Sequence, residues 1–386
     1  MRSHARQSTG RTLAVLHPVF ALTGVVHAIG GSLLPSLAST FHLTDSQSGM
    51  LFFLYFAGSS LGALLCRSSY ALTMALGFVA MVLSSLAVAF VHWPLLLLVF
   101  LLLGVSVGIP MSAVSLFVGR NYAQRRAAVL TLLNFSWSAG ALLAPLLAGW
   151  ILLRHSYRAA YMFLAVASMV AALCCFLFPR DAPETASPAG EKDAGSNLRL
   201  ILVFALAAFL QVGVENTSAA WLSTYAQRTM GAGVAVAATV SSLYWVGFLA
   251  SRGVASLMLM RVQSANLLRV AAIGALGASL LLAAAPSSSL GRIAMFLLGI
   301  ALAPVYPLVI AGSLARVHPT SDSRWVLAAA GFGGSVLPWL AGSISAMTGS
   351  LRVGMLTIPA ALLLMIFLLP SLTGLGRGTA HAGQTS

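Results

Sequence analysis

Acidic residues are scarce in this chain: seven aspartates and glutamates stand among 386 residues, and charged residues of all kinds make up 7%. Soluble domains carry about 25% charged residues, so this composition excludes an ordinary soluble domain. Cysteine is equally scarce, with only Cys66, Cys174 and Cys175. Their spacing fits neither a metal site nor a disulfide framework. We therefore expect no metal and no other cofactor.

Long apolar runs dominate what is present, with 59% hydrophobic residues and a mean hydropathy of +0.95. Runs near the roughly 20 residues that cross a bilayer recur twelve times. In lipid each backbone amide must be hydrogen-bonded within its own segment, so each run is predicted to be a helix. The predicted fold is an all-α membrane protein with twelve transmembrane helices. The predicted segments 1 to 12 cover residues 12–36, 46–66, 71–91, 94–118, 127–152, 158–179, 199–225, 234–258, 265–285, 290–315, 324–347 and 351–372.

The basic residues are distributed unevenly between the two sides of the membrane. An even number of segments places both termini on one side, and that side collects fifteen of the 21 basic residues, against five on the other. The positive-inside rule then predicts cytoplasmic termini, in the cell inner (plasma) membrane. The net charge of +14 is thus a consequence of topology. The lipid bilayer is an expected partner, nucleic acid is not, and we expect a monomer.

A polar stretch divides the chain into two halves of six segments. Residues 179–198 are rich in Pro, Ala, Gly and Ser, which is typical of a flexible linker. The expected units are therefore a bundle over 1–178, a cytoplasmic linker over 179–198, and a second bundle over 199–386.

The halves also look duplicated. GALLAPLLAG in segment 5 matches GGSVLPWLAG in segment 11, 193 positions later, and FLLLG (100–104) matches MFLLG (295–299). Segments 1 and 7 align at an offset of 184, which pairs His27 with Gln211. Ordered matches across two halves predict an internal repeat.

Several strings resemble a known family. Gly62, Leu64 and Arg67 in GALLCRSSY resemble the loop signature Gly-x-Leu-x-Asp-Arg-x-Gly-Arg-Arg of the major facilitator superfamily, although Cys66 replaces the Asp. The glycines and proline of segment 5 look like the helix-5 motif of that superfamily. VGVENTSAAWLSTY (212–225), GIALAPVYPL (299–308) and GFGGSVLPWLAGSI (331–344) resemble its fucose/glucose permease branch. This resemblance implies two pseudo-symmetric six-helix bundles and sugar:proton symport. The acidic residues that fucose permeases carry in helices 1 and 4 are missing here.

One carboxylate lies inside an apolar run. Six of the seven acidic residues fall in polar gaps, but Glu215 lies within segment 7. An ionisable group in the bilayer core costs at least about 2.5–3.5 kcal/mol, so such groups mark ion, proton or substrate paths. Gln211 and Glu215 are four residues apart and share a helix face. Together they offer the donors and acceptors that a hydroxylated ligand needs.

Other polar and aromatic residues in mid-segment are candidates for the same cavity between the halves. His27 and Glu215 are also the candidates for proton coupling, because both can titrate. Arg252 lies farther from a segment end than any other arginine. It is expected near the cytoplasmic end of segment 8, either snorkelling or forming a gate contact and not paired with Glu215. The predicted substrate-binding residues are Gln211, Glu215, Asn216, His27, Asn134, Trp137, Tyr244 and Tyr55.

Four functional classes follow from these features. The favoured one is a secondary active transporter of a small hydroxylated solute, such as a monosaccharide, working by alternating access. The alternative is an efflux transporter for amphipathic drug-like compounds. An enzyme is not expected. Serine nucleophile chemistry needs a serine and a histidine brought together, but His27 is the only mid-segment histidine and no segment carries a suitable Gly-x-Ser-x-Gly string. A non-transporting sensor on the same fold is the fourth class. Import or export, and proton, sodium or no coupling, stay open.

Overall fold

The computed structural model describes residues 2–65, 69–122, 126–176, 197–258, 261–317 and 323–374. Fourteen helices cover these residues. They are α1 (Arg2–Phe41), α2 (Asp45–Leu64), α3 (Tyr70–Phe90), α4 (Leu96–Asn121), α5 (Arg126–Leu152), α6 (Tyr157–Phe176), α7 (Leu198–Met230), α8 (Val234–Met258), α9 (Ser264–Ala284), α10 (Ser288–Leu302), α11 (Val305–Arg316), α12 (Ser323–Thr348), α13 (Leu351–Met355) and α14 (Thr357–Gly374). Most of the predicted linker and part of the loop signature, residues 66–68, lie outside the described residues.

The helices account for the twelve predicted membrane segments. Within the described residues, eleven spans are long and apolar enough to cross a bilayer, and α10 with α11, like α13 with α14, forms one span. The remaining segment is α2, whose hydropathy is reduced by Asp45, Gln47 and four serines. It packs against α4 and α12 between the two halves. An all-α membrane protein with twelve transmembrane helices is confirmed.

The packing repeats between the halves. We call α1–α6 the N half and α7–α14 the C half. In the N half α1 packs on α5, α2 on α4, and α3 on α6; in the C half the equivalent helices α7, α8 and α9 pack on α12, α10 and α14. The pattern is unchanged when the halves are exchanged, so the two bundles are pseudo-symmetric, as the sequence repeat predicts.

Glycines at equivalent positions show the same symmetry in atomic detail. A side-chain carbon added at Gly104 would overlap the carbonyl oxygen of Tyr55, and one added at Gly299 would overlap that of Tyr244. These glycines end the matched strings FLLLG and MFLLG. Close backbone approach between packed helices requires a small residue, and this explains why the two strings agree at that position.

Among the described residues, the halves are joined mainly by three helix pairs, α1 with α7, α2 with α12, and α5 with α8, and less extensively by α1 with α8. We call the membrane side that carries the chain termini the terminal face, and the other side the opposite face. At the opposite face, Asp45 at the start of α2 accepts hydrogen bonds from Arg228 of α7 at 2.7 and 2.8 Å and from Ser345 of α12 at 2.5 Å. The N half and the C half are therefore linked there by an ion pair.

Candidate functional site

Glu215 lies near the middle of α7, at the eighteenth of its 33 residues. Its side chain is 8% exposed and makes no hydrogen bond to any residue that the structure describes. Arg252, Tyr244 and Tyr306 lie close enough to interact with its charge. Arg252 is not within the 4.0 Å of an ion pair. The Glu215 carboxylate thus keeps acceptor positions that no described residue occupies.

Gln211 lies one turn from Glu215 and has a structural role as well. The tenth predicted segment is broken at Ala303 and Pro304, between α10 and α11. At this break the carbonyl of Leu302, the last residue of α10, accepts a hydrogen bond from Gln211 Nε2 at 3.2 Å. The other amide atom, Gln211 Oε1, is buried without a partner. This acceptor is free for a ligand.

His27 brings α1 to the same place from the N half. Its ring is 5.0 Å from that of Trp137 and 5.4 Å from that of Phe56, and the Asn216 side chain lies beside it. Asn216 donates to the carbonyl of Gly334 at 3.3 Å, which ties it to α12. His27 of the N half and the Glu215–Asn216 turn of α7 therefore meet at the interface between the halves.

Aromatic rings form one wall of this region. Trp137 of α5 meets Trp245 of α8 with ring centroids 6.0 Å apart, and Trp245 contacts Tyr244 at 5.0 Å and Phe248 at 5.4 Å. Trp137 is 6% exposed and Tyr244 is 0% exposed. The Trp137 Nε1 donor and the Tyr244 hydroxyl are both buried without partners.

Arg252 of α8, in the C half, reaches α5 of the N half beside this aromatic wall. Its guanidinium donates to Ser138 Oγ at 2.7 Å and to the Asn134 carbonyl at 3.3 Å, both on α5. It lies 4.6 Å from the ring centre of Phe248 and 5.8 Å from that of Trp137. Of the two predicted outcomes for Arg252, the structure shows a contact between the halves.

Two predicted residues are less well placed for a ligand. The Asn134 side chain is exposed, and its amide donates to the carbonyl of Leu130 on its own helix at 2.9 Å. The Tyr55 hydroxyl donates to the carbonyl of Val26 at 3.3 Å. Tyr55 can offer its ring, 6.4 Å from that of His27, but its hydroxyl already has an acceptor.

The comparisons with known proteins agree with this architecture. The family model described as Major Facilitator Superfamily matches residues 16–323 of the 386. The chain belongs to the Major Facilitator Superfamily. A member of this superfamily is a multi-pass membrane transporter and not an enzyme, and the resemblance noted in the sequence is confirmed.

Individual members of the superfamily are similar over nearly the whole chain. The glucose/mannose transporter GlcP of Bacillus subtilis (strain 168) is 23% identical over 370 residues, which is 90% of this chain and 91% of GlcP. The structure of a D-xylose-proton symporter matches with a TM-score of 0.76 at 14% identity, covering 94% of this chain and 98% of the symporter. The superfamily transporter FucP in its outward conformation matches with a TM-score of 0.62 at 19% identity over the same shares.

Sequence reasoning missed the contacts that cross between the halves. Trp245 was not among the predicted site residues, although it pairs with Trp137. The repeat gives a signal for it, because an offset of 189 equates Trp245 with Phe56, and Phe56 contacts His27. No local signal distinguishes Ser138 as the partner of Arg252, since the two residues are 114 positions apart.

Proposed function

We propose that this superfamily member is a secondary active transporter that moves a monosaccharide by alternating access of its two halves. The observation that carries the proposal is a set of buried polar atoms without partners where α1, α5, α7 and α8 meet. Buried polar groups are normally hydrogen-bonded, because an unpaired one costs about 1–3 kcal/mol. The set consists of His27 Nε2, Trp137 Nε1, Gln211 Oε1, Tyr244 Oη and Arg252 Nε, next to the free carboxylate of Glu215.

The chemistry of this set suits a sugar. Trp137 Nε1 and Arg252 Nε can only donate, Gln211 Oε1 can only accept, and the Tyr244 hydroxyl can do both. A sugar hydroxyl donates and accepts, so several hydroxyls on one ring can satisfy such a mixture. The ring also presents an apolar face, for which the planes of Trp137 and Trp245 provide an aromatic surface. Ligand pockets commonly combine a mostly apolar lining with a few placed polar groups.

The location supports transport. Residues of the set belong to both halves, and transporters of this kind hold the substrate near the bilayer midplane between two halves that rock around it. The relatives support the solute class: GlcP is a glucose/mannose transporter, and the D-xylose-proton symporter carries a sugar in its name. Cytoplasmic termini and the inner membrane are part of the proposal, from the distribution of basic residues.

We include proton coupling through Glu215 in this proposal. Glu215 is the only carboxylate within a membrane segment. His27 is the possible second carrier, since it lies beside the residue that follows Glu215. A proton on Glu215 would neutralise the charge while access to the site changes from one face to the other, and this lowers the electrostatic cost of closing the site to water.

Counterflow in proteoliposomes tests the transport of sugars. Vesicles loaded with one unlabelled monosaccharide at high concentration should take up the same labelled sugar transiently above equilibrium. A panel of monosaccharides and a panel of hydrophobic cations are compared in the same vesicles. Counterflow of cations without sugars would favour drug efflux, and binding without counterflow of any compound would favour a sensor. Either result would refute the proposed sugar transport.

A further inference from the structure

Arg252 is held at two places but is not fully paired. One terminal nitrogen of its guanidinium makes both hydrogen bonds to α5, and the rings of Phe248 and Trp137 flank the group. Arginine carries five N–H donors and stays charged in proteins. The Nε donor is buried and has no partner. Leaving a donor of a charged group buried and unpaired is costly, so this atom requires an acceptor that no described residue supplies.

Glu215 has the complementary deficit. Its carboxylate interacts electrostatically with Arg252, but the two groups do not form an ion pair. The Tyr244 hydroxyl, also without a partner, lies in the field of both charges, and Tyr306 does as well. The two opposite charges interact without forming an ion pair, and each keeps a hydrogen-bonding atom that no described residue pairs with.

We propose that Arg252 binds the transported sugar directly and, with Glu215, determines which of its hydroxyls are required. This inference rests on the proposed sugar transport and extends it. One sugar hydroxyl accepts a hydrogen bond from Arg252 Nε, and a different hydroxyl donates to Glu215. The contacts with Ser138 and Asn134 hold the guanidinium in place for this contact. Specificity follows because a sugar that lacks either hydroxyl leaves a buried charge unpaired.

The proposed contact between Arg252 and the sugar can be tested by changing the sugar and the protein in the same set of measurements. We suggest measuring the affinity of a monosaccharide and its monodeoxy analogues for wild type, Arg252→Gln and Glu215→Gln, by calorimetry and by tryptophan fluorescence, since Trp137 lies beside Arg252. The wild type should bind the analogue that lacks the sugar hydroxyl in contact with Arg252 about 10- to 100-fold more weakly than the parent sugar. This is the range for a hydrogen bond to a charged group. In Arg252→Gln the same deoxy analogue should bind nearly as well as the parent sugar. Glu215→Gln should reduce the penalty of a different hydroxyl, because a neutral amide oxygen accepts a weaker hydrogen bond than a carboxylate does.

Two further variants separate ligand contact from other roles of Arg252. Ser138→Ala removes a link between the halves but keeps the guanidinium, so the hydroxyl assigned to Arg252 should stay important. Arg269→Gln is a matched control, because Arg269 bonds to Asn266 and Thr373 within the C half; it should leave every affinity unchanged. If Arg252→Gln does not fold, Arg252→Lys is measured instead, and it should reduce the same penalty.

The possible results lead to distinct conclusions. Equal weakening of all analogues by Arg252→Gln and by Ser138→Ala would show that Arg252 only joins the halves, and would overturn the inference. If Arg252→Gln and Glu215→Gln both reduced the affinity penalty of the same missing hydroxyl, the assignment of different hydroxyls to Arg252 and Glu215 would be wrong. Failure of the wild type to bind any monosaccharide would refute the proposed function itself, and this result appears before any variant is measured.

Discussion

The ion pair between Asp45 and Arg228 offers the most direct test of how the halves are held together. We consider Asp45→Asn and Arg228→Gln, alone and combined. Both hydrogen bonds of the pair, at 2.7 and 2.8 Å, connect α2 of the N half with α7 of the C half. Each single change removes the pair, so a double-mutant cycle isolates its energy from the effect of Asp45 on the first turn of α2.

The magnitude follows from the partial exposure of the pair. Two unit charges about 4 Å apart attract by about 4 kcal/mol at an effective dielectric constant of 20. The Arg228 side chain is 41% exposed and that of Asp45 is 11% exposed. Solvent screening and the ordering of a long side chain therefore cancel much of this attraction. The hydrogen bond from Ser345 helps to hold the carboxylate. We expect a coupling energy of about 1–2 kcal/mol, which shifts an equilibrium about 5- to 30-fold.

The assay is a distance measurement between the halves at the opposite face. Spin labels replace His155 of the N half and Ser289 of the C half, both exposed, in a variant without native cysteines. Asp45→Asn should shift the equilibrium toward longer distances by about 5- to 30-fold. Arg352→Gln is the control, since Arg352 bonds to Ala285 within the C half. A coupling energy below about 0.3 kcal/mol with an unchanged distance distribution would refute the reasoning.

Three further predictions concern coupling, topology and packing. Glu215→Gln should retain solute exchange but lose accumulation driven by a proton gradient, because the amide hydrogen-bonds without titrating; unchanged accumulation in vesicles would exclude the coupling role. A single cysteine at position 186 should react with reagents applied from the cytoplasm, and labelling from outside the cell would contradict the predicted orientation. Gly104→Val and Gly299→Val should each lower the thermal unfolding temperature in detergent, because each overlaps a backbone carbonyl, whereas Gly277→Val, in open space, should not.

Part of the candidate site could be predicted because its signals are local. Glu215 is conspicuous as a charged residue in an apolar run, and helical periodicity places Gln211 on the same face. The repeat at an offset of 184 equates His27 with Gln211, and the structure brings His27 to the turn that follows Glu215. Whether these residues bind a solute stays a prediction.

The fates of single polar atoms could not be predicted in the same way. The Tyr55 hydroxyl donates a hydrogen bond to the carbonyl of Val26, and the Gln211 amide nitrogen donates one to the carbonyl of Leu302. Both carbonyls lie on other helices. The Leu302 carbonyl lies at the break between α10 and α11, where the hydropathy pattern predicts one continuous segment. Hydrogen-bond partners of this kind depend on how helices are rotated and stacked, which hydropathy does not encode.

The sequence by itself determined the all-α membrane class, the number of segments and the duplicated halves. These properties follow from the cost of exposing backbone amides and charges to lipid, and this cost acts segment by segment. Only the tertiary structure decided which groups join the halves: Arg252 with Ser138, and Asp45 with Arg228 and Ser345. The paired residues are 114, 183 and 300 positions apart. Such contacts form only when packing of apolar faces has brought distant helices together.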